Sequence, residues 1–228
     1  EECNISRQDS DAYAARSQER ASTAQANGWF DWETFAIEIP QRRGEAVQFT
    51  IDEGIRADTT TDSLSRLRPV FRKDGQVTAG NASTLNDGAS AVLLADAEFA
   101  QQQGWDVLGY VEDYCTTGVE PSRVMSAPIL AVQMLLDRNN LNVLDVDVYE
   151  HNEAFASASC SVAQELKIPE DRFNLHGGAI SLGHPLGSSG TRCLITMLSI
   201  MRRVKGSTGV VTLCLGGGNA VAMLVRQA

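Results

Sequence analysis

Between residues 107 and 225 the hydrophobic period of the chain switches repeatedly, and this alternation limits the possible folds more than any other feature. Residues 107–114 read as a strand, 127–138 as a helix, 144–149 as a strand and 153–166 as a helix ending before Pro169. A glycine-rich loop follows, then a helix over 191–204 with Leu194, Met197, Leu198 and Met201 at i, i+3, i+4 and i+7. Strands over 210–215 and 220–225 flank Gly216-Gly217-Gly218-Asn219, a hairpin signal. Helix stripes and strand faces must bury each other, so the pattern predicts an α/β layer sandwich in which an antiparallel pair ends a mixed sheet.

The upstream part is less regular. Ser6 with an acidic residue three positions later and Ile5 before it predicts a capped helix that runs to the stop at Asn27-Gly28. Segments 35–39 and 47–51 alternate apolar and polar residues around Pro40 and Gly44, as short exposed strands do. With residues 64–71 and the turn Lys73-Asp74-Gly75 they form a loop-rich, basic-tinged surface module over 29–84. Residues 89–95 are apolar enough for a buried strand, and 96–103 read as a short helix closed by Gly104.

Composition removes several function classes. The 228 residues, 43% hydrophobic, suffice for a sizeable core. A net charge of −10 argues against the basic stripe of a nucleic-acid binder. Five cysteines without C-x-x-C spacing read as free thiols in a reducing, cytoplasmic compartment. No run is long and apolar enough for a membrane span. The opening Glu1-Glu2-Cys3, one turn before a helix, reads as the start of the distal part of something longer.

Three polar points fall at element edges, where open α/β sheets collect ligands. Asn152 stands at a strand-to-helix junction, where its ordinary role is an N-cap. His184 lies among glycines and serines between Gly177 and Gly190, a spacing that suggests close backbone approach. Cys214, by itself a small buried residue, precedes three glycines whose N–H groups could face an oxyanion. Together they supply a proton-transfer group and a polarised hole, the needs of acyl-transfer or carbon-acid chemistry. His151 and His176 take a structural reading, and without ligand-like Cys/His pairing a zinc site is set aside.

The motifs resemble a known family. Asn152-Glu153-Ala154-Phe155-Ala156, the run from Gly177 to Gly187 containing Gly183-His184-Pro185, and Cys214-Leu215-Gly216-Gly217-Gly218 are similar, in this order, to the C-terminal signatures of thiolases, the acetyl-CoA acetyltransferases. Val77-Thr78-Ala79-Gly80-Asn81-Ala82-Ser83 resembles the thiolase stretch along the coenzyme A tunnel. The resemblance implies a thiolase-like fold: an irregular CoA-binding loop domain over 1–84, a strand and helix over 85–106 returning to an N-terminal domain, and a C-terminal layered αβα domain over 107–228. It also implies roles. Cys214 is the acid/base cysteine, His184 activates a nucleophilic cysteine and donates to an oxyanion hole, Asn152 fixes a water there, and the Gly216 N–H serves a second hole. Ser83 touches the pantetheine arm, while Arg56, Ser63, Leu67 and Phe71 lie where the family holds the nucleotide end of CoA. Coenzyme A and acetyl-CoA are substrates; no permanently bound cofactor is implied.

The family's nucleophilic cysteine has no counterpart here. Cys3 precedes an expected surface helix, Cys115 follows a strand, and Cys160 and Cys193 lie within helices. The expectation is therefore a portion of an acetyl-CoA C-acetyltransferase or 3-ketoacyl-CoA thiolase that needs an N-terminal thiolase chain or segment, in a homo- or hetero-oligomer. That partner would also cover the open strand at 89–95. The alternative is a non-catalytic CoA-binding or scaffolding subunit, disfavoured because binding alone requires no thiol at 214. Cys-x-Gly at 214–216 and Asn152 disfavour a decarboxylating ketoacyl synthase, and Asn-Glu-Ala-Phe disfavours a sterol-carrier-type thiolase. Met125 is a candidate for the acyl-pocket wall.

Overall fold

A computed structural model describes residues 3–228. Helix α1 (Arg7–Ala26) starts in the expected capping box: Asp9 N donates to Ser6 Oγ at 3.1 Å and Ser6 N to Asp9 Oδ2 at 2.9 Å. It is not a surface helix. Tyr13, Ala14, Ala21 and Ala24 are buried together with Ser10, Asp11, Ser17 and Gln18, so its inner face packs through small residues and hydrogen bonds. Sequence periodicity registers large apolar side chains, which explains why this burial was not expected.

Strands β1 (Ile37–Ile39) and β2 (Val47–Phe49) pair antiparallel and are exposed throughout, as predicted but shorter. Helix α2 (Thr61–Ser65) is capped by Thr60, and helix α3 (Ala97–Gln102) by Asp96. The strand expected at 89–95 is not formed. Residues 85–96 belong to no helix or ladder, with Leu85, Leu93 and Leu94 exposed by 85%, 77% and 71%. A strand is completed by a neighbour's N–H and C=O groups, and the described residues provide none.

The remaining elements build one layered unit: β3 (Gly109–Gly118), α4 (Ala127–Arg138), β4 (Val148–His151), α5 (Ala156–Leu166), α6 (Ala179–Leu182), α7 (Ser189–Val204), β5 (Thr208–Leu215) and β6 (Asn219–Gln227). The sheet order is β3-β6-β5-β4, with β4 parallel to β5 and the other pairs antiparallel. The hairpin β5–β6 is thus central rather than terminal, a correction to the expected arrangement. β3, which forms nine register pairs with β6, makes the antiparallel edge.

Alternation along the hairpin separates two cores. Val210, Ala220, Ala222 and Leu224 face α4, joining Ala131, Val132 and Leu135. Val211, Leu213 and Val225 face α7, joining Cys193, Met197, Ile200 and Met201. This is the predicted αβα sandwich. β4 starts four residues later than expected because Asn142 and Asp145 close a short 3-10 turn first, with Asn142 N donating to Asp145 Oδ2 at 2.7 Å. The hairpin turn requires glycine at 218: φ is +97°, and a Cβ would sit 2.3 Å from the Val119 carbonyl oxygen.

Candidate active site

The site forms where β4 and β5 end. His151 pairs with Thr212, and the next residue, Asn152, donates its backbone N–H to Thr212 O at 3.1 Å. Cys214 is two residues farther along β5, on the same strand face as Thr212. Asn152 does not cap α5, whose N-cap position is Phe155, so the ordinary explanation for an asparagine there fails. The first turn of α5 is held instead by Asn81 O, which accepts from Ala156 N at 2.9 Å.

Two more segments enter the strand ends. Residues 82–84 lie along the Asn152 loop, with Ser83 N donating to Ala154 O at 3.0 Å. His184 N in turn donates to Thr84 O at 3.0 Å. The segment carrying Ser83 is thus a backbone bridge between the loops that carry Asn152 and His184. The side chains of those two residues meet: Asn152 Nδ2 lies 3.4 Å from His184 Nε2. Asn152 is buried, and its Oδ1 has no partner among the described residues. Among the described residues no hydrogen bond joins Cys214 to His184: His184 meets Asn152 just past the end of β4, and Cys214 lies near the end of the neighbouring β5.

Burial sets the protonation of the site. It holds the Cys214 thiol above its ordinary pKa. It also holds His184 below its ordinary value, aided by the nearby Arg192 cation, so the resting site pairs a neutral thiol with a neutral imidazole. A thiol of raised pKa yields a thiolate that is a stronger base once formed. Gly216 is exposed, with nothing within 4 Å of where a Cβ would sit, so the turn leaves room for a ligand.

The glycines before His184 have a different reason from the one expected. A Cβ on Gly178 would sit 2.5 Å from the Glu153 carboxyl, one on Gly177 (φ +77°) 2.6 Å from Ser17 O, and one on Gly183 (φ +91°) 2.4 Å from Asn86 Oδ1. They admit protein atoms rather than substrate. Glu153, which sequence reasoning did not single out, is the hub. Its oxygens accept from Tyr13 Oη at 2.8 Å, Ser17 Oγ at 2.7 Å, Asn174 Nδ2 at 3.0 Å and Ile180 N at 3.3 Å. Asn174 in turn brackets His151 through its backbone N–H and C=O, both within 2.9 Å.

Phe71 meets Phe155 edge-on, ring centres 6.4 Å apart, and lines a cavity of about 550 Å³ that also includes Met125, Gln76, Ser157 and Cys3. Arg56, Ser63, Leu67 and Ser83 do not line this cavity. Arg56 N donates to Gln18 Oε1, and Leu67 presses on Gly80. Ser63 Oγ accepts from Thr60 N at 3.0 Å in the capping box of α2, so that hydroxyl already has a structural task.

The other cysteines are poorly placed as nucleophiles. Cys115 lies within β3 rather than after it and donates to Ala131 O at 3.2 Å. Burial pushes the Cys160 and Cys193 thiols up to about 12. Cys3 is half-buried beside α1. His151 hydrogen-bonds Ser159 Oγ at 3.0 Å, and His176 stacks on Trp29 while accepting from Arg203 Nε at 3.0 Å. Both keep the structural reading.

Beneath the site, Arg192 Nη1 donates to the buried Glu150 at 2.9 Å. Burial raises Glu150 to about 8 and Glu33 to about 7, and lowers His151 and His176 to about 4. A carboxyl that binds its proton more tightly when folded loses stability as pH rises through its folded pKa. A histidine that binds its proton less tightly when folded loses stability as pH falls below its unfolded value. The two effects oppose one another from about 4.5 to 6.5, and above 6.5 only the carboxyls act. Urea-unfolding free energy should therefore fall between about pH 6.5 and 8. Glu150→Gln should flatten that fall, and a rise across the window would contradict these assignments.

With this geometry in hand, comparison with known proteins gives a consistent result. The thiolase C-terminal domain model matches residues 105–227, and the thiolase N-terminal domain model matches residues 1–98. The sandwich has a thiolase fold, and the chain belongs to the thiolase family. It is 45% identical over 227 residues to a "Probable acetyl-CoA acyltransferase" of Staphylococcus aureus, covering all of this chain and 58% of that protein. It is equally identical to one from Staphylococcus epidermidis, covering 57% of it. Among solved structures it resembles the Bacillus anthracis acetyl-CoA acetyltransferase, with TM-score 0.95, 37% identity and 98% of this chain on 57% of that one. It also resembles human mitochondrial 3-ketoacyl-CoA thiolase in complex with CoA, with TM-score 0.92, 37% identity and 98% of this chain on 55% of that one. The chain therefore spans less than two thirds of these relatives. Among the described residues no helix is long and apolar enough to cross a membrane.

Proposed function

We propose that this chain supplies the acid/base half of an acetyl-CoA C-acetyltransferase or 3-ketoacyl-CoA thiolase site, with the nucleophilic cysteine coming from an N-terminal thiolase segment. The observation that carries the reading is the meeting of Asn152 and His184 at 3.4 Å, at the strand end that also holds Cys214 and the open Gly216 turn. The names of the similar proteins support acyl-CoA thioesters as substrates.

In thiolysis, His184 Nε2 takes the proton of the partner's cysteine, whose thiolate attacks the 3-keto carbon. The developing oxyanion needs preorganised donors, which imidazolium and the Gly216 N–H offer to the two reacting oxygens. When the carbon–carbon bond breaks, its electron pair becomes the enolate of acetyl-CoA, and the Cys214 thiol gives that carbon its proton. In condensation the Cys214 thiolate removes the same proton. The raised thiol pKa suits both steps: the resting group holds the proton to be donated, and its thiolate is basic enough to recover it.

Three domains follow on this reading: a loop domain over 1–84 that holds CoA through Ser83 and the region of Arg56, Ser63, Leu67 and Phe71, a returning segment over 85–106, and the C-terminal domain over 107–228. The exposed leucines of 85–96, in a segment that joins no ladder, support a covering partner chain or a larger oligomer. A cytoplasmic location and a place in lipid metabolism accord with five free thiols and acyl-CoA substrates. The test is reconstitution. The chain mixed with an N-terminal thiolase segment should cleave acetoacetyl-CoA in the presence of CoA, whereas either piece alone should not. CoA binding without turnover in any mixture would instead favour a scaffolding subunit.

A further inference from the structure

The acyl-transfer reading requires one particular nitrogen of His184 to be free of a proton. Nε2 faces Asn152, so it is the atom that must accept and return the proton. Nothing in the imidazole itself makes that choice, because the two neutral tautomers are close in energy and the partner of the other nitrogen decides.

That partner is Ser189, the first residue of α7. Its Oγ lies 2.6 Å from His184 Nδ1, and the residue is 1% exposed. The same Oγ is 3.0 Å from Pro185 O, four residues back, and is placed to donate its single proton there. A hydroxyl that has given its proton to a carbonyl can only accept from the ring, so Nδ1 carries the hydrogen. On the opposite side of the ring the Asn152 amide presents Nδ2, a donor, to Nε2 at 3.4 Å. Both neighbours therefore specify the same tautomer. Burial and the Arg192 cation, each of which disfavours imidazolium, keep the ring in that neutral form.

We propose that Ser189 is a positioning residue that fixes His184 as the Nδ1–H tautomer and so reserves Nε2 for proton transfer. This rests on the thiolase reading for its purpose, but the tautomer itself is a property of the chain alone. The reverse arrangement has Ser189 donating to Nδ1 and Nε2–H pointing at a rotated Asn152 amide oxygen. It would leave Nε2 unable to accept the proton of an incoming thiol.

Long-range ¹H–¹⁵N spectra of the ¹⁵N-labelled full chain distinguish the two. With three histidines, each ring can be assigned by substitution. Wild type should show His184 protonated at Nδ1 and free at Nε2. Ser189→Ala should give a mixture of tautomers, and Ser189→Thr should restore the single form, while the His151 and His176 signals stay in place to report an intact fold. In the reconstituted enzyme Ser189→Ala should lower kcat at least tenfold, roughly within the range of general acid–base contributions, with little change in KM. An Nε2–H wild-type ring, or an unchanged ring in Ser189→Ala, overturns the assignment whatever the activity. If Ser189→Ala does not fold, the wild-type and Ser189→Thr spectra still decide it. Absence of thiolysis with the ring in the Nδ1–H form overturns the acyl-transfer reading and leaves the Ser189 assignment standing.

Discussion

Cys214→Ser in the assembled enzyme is expected to slow condensation and thiolysis together, by roughly 100- to 10,000-fold, while CoA affinity stays within about twofold of wild type. Serine preserves the size and the hydrogen-bonding geometry, but a hydroxyl is too weak an acid to return the proton on the same timescale. The loss should appear in kcat, because proton transfer at the α-carbon is made only in the transition state. The position supports a chemical rather than a packing role. Cys214 lies two residues beyond the last parallel pair of β4 and β5, is only partly buried, and stands beside a turn with open space at Gly216. Loss of CoA binding in step with rate would instead make Cys214 part of the binding wall.

The largest stability effect should come from a residue with no proposed chemical step. Glu153→Ala is expected to cost about 3–5 kcal/mol, read as a lower urea midpoint at unchanged m value. The substitution leaves a cavity and strips the acceptor from Tyr13, Ser17, Asn174 and Ile180, all but the last of which are buried side-chain donors. Some re-pair, since Tyr13 and Asn174 are 2.9 Å apart and Ser17 and Ser181 3.1 Å, which keeps the cost below four separate penalties. Glu153→Gln should cost less, about 1–2 kcal/mol, because an amide keeps the shape but replaces one acceptor oxygen with a donor. Because Asn174 and Gly178 frame the loops bearing Asn152 and His184, both variants should also reduce activity. That reduction should scale with stability.

Local signals were legible wherever a residue's task is completed by near neighbours. Ser6 with Asp9, the i, i+3, i+4 stripe of α7 and the Gly216–Gly218 turn all came out where expected, because each is decided within a few residues. Tasks completed at a distance were not. Tyr13 and Glu153 are 140 positions apart, and nothing local distinguishes an exposed tyrosine from one whose hydroxyl reaches a buried carboxyl. Residues 89–95 have the composition of a strand, yet a strand exists only with a neighbour to complete its ladder. Asn152, His184 and Cys214 stand out as site candidates through their motifs. Ser189, which hydrogen-bonds the His184 ring, and Glu153, the hub beside Asn152, are hidden among residues that look like ordinary helix and loop. The glycines at 177, 178 and 183 carried the missing clue, since they leave room for Ser17, Glu153 and Asn86.

The central claim is a division of labour: this chain holds the base, and another segment holds the nucleophile. Intact-mass spectrometry of the reconstituted assembly, quenched after exposure to acetoacetyl-CoA without free CoA, tests it directly. One acetyl group transferred to the N-terminal segment, with this chain's mass unchanged, is the predicted result. An acetyl group on this chain, mapped to any of its five cysteines, would contradict the account.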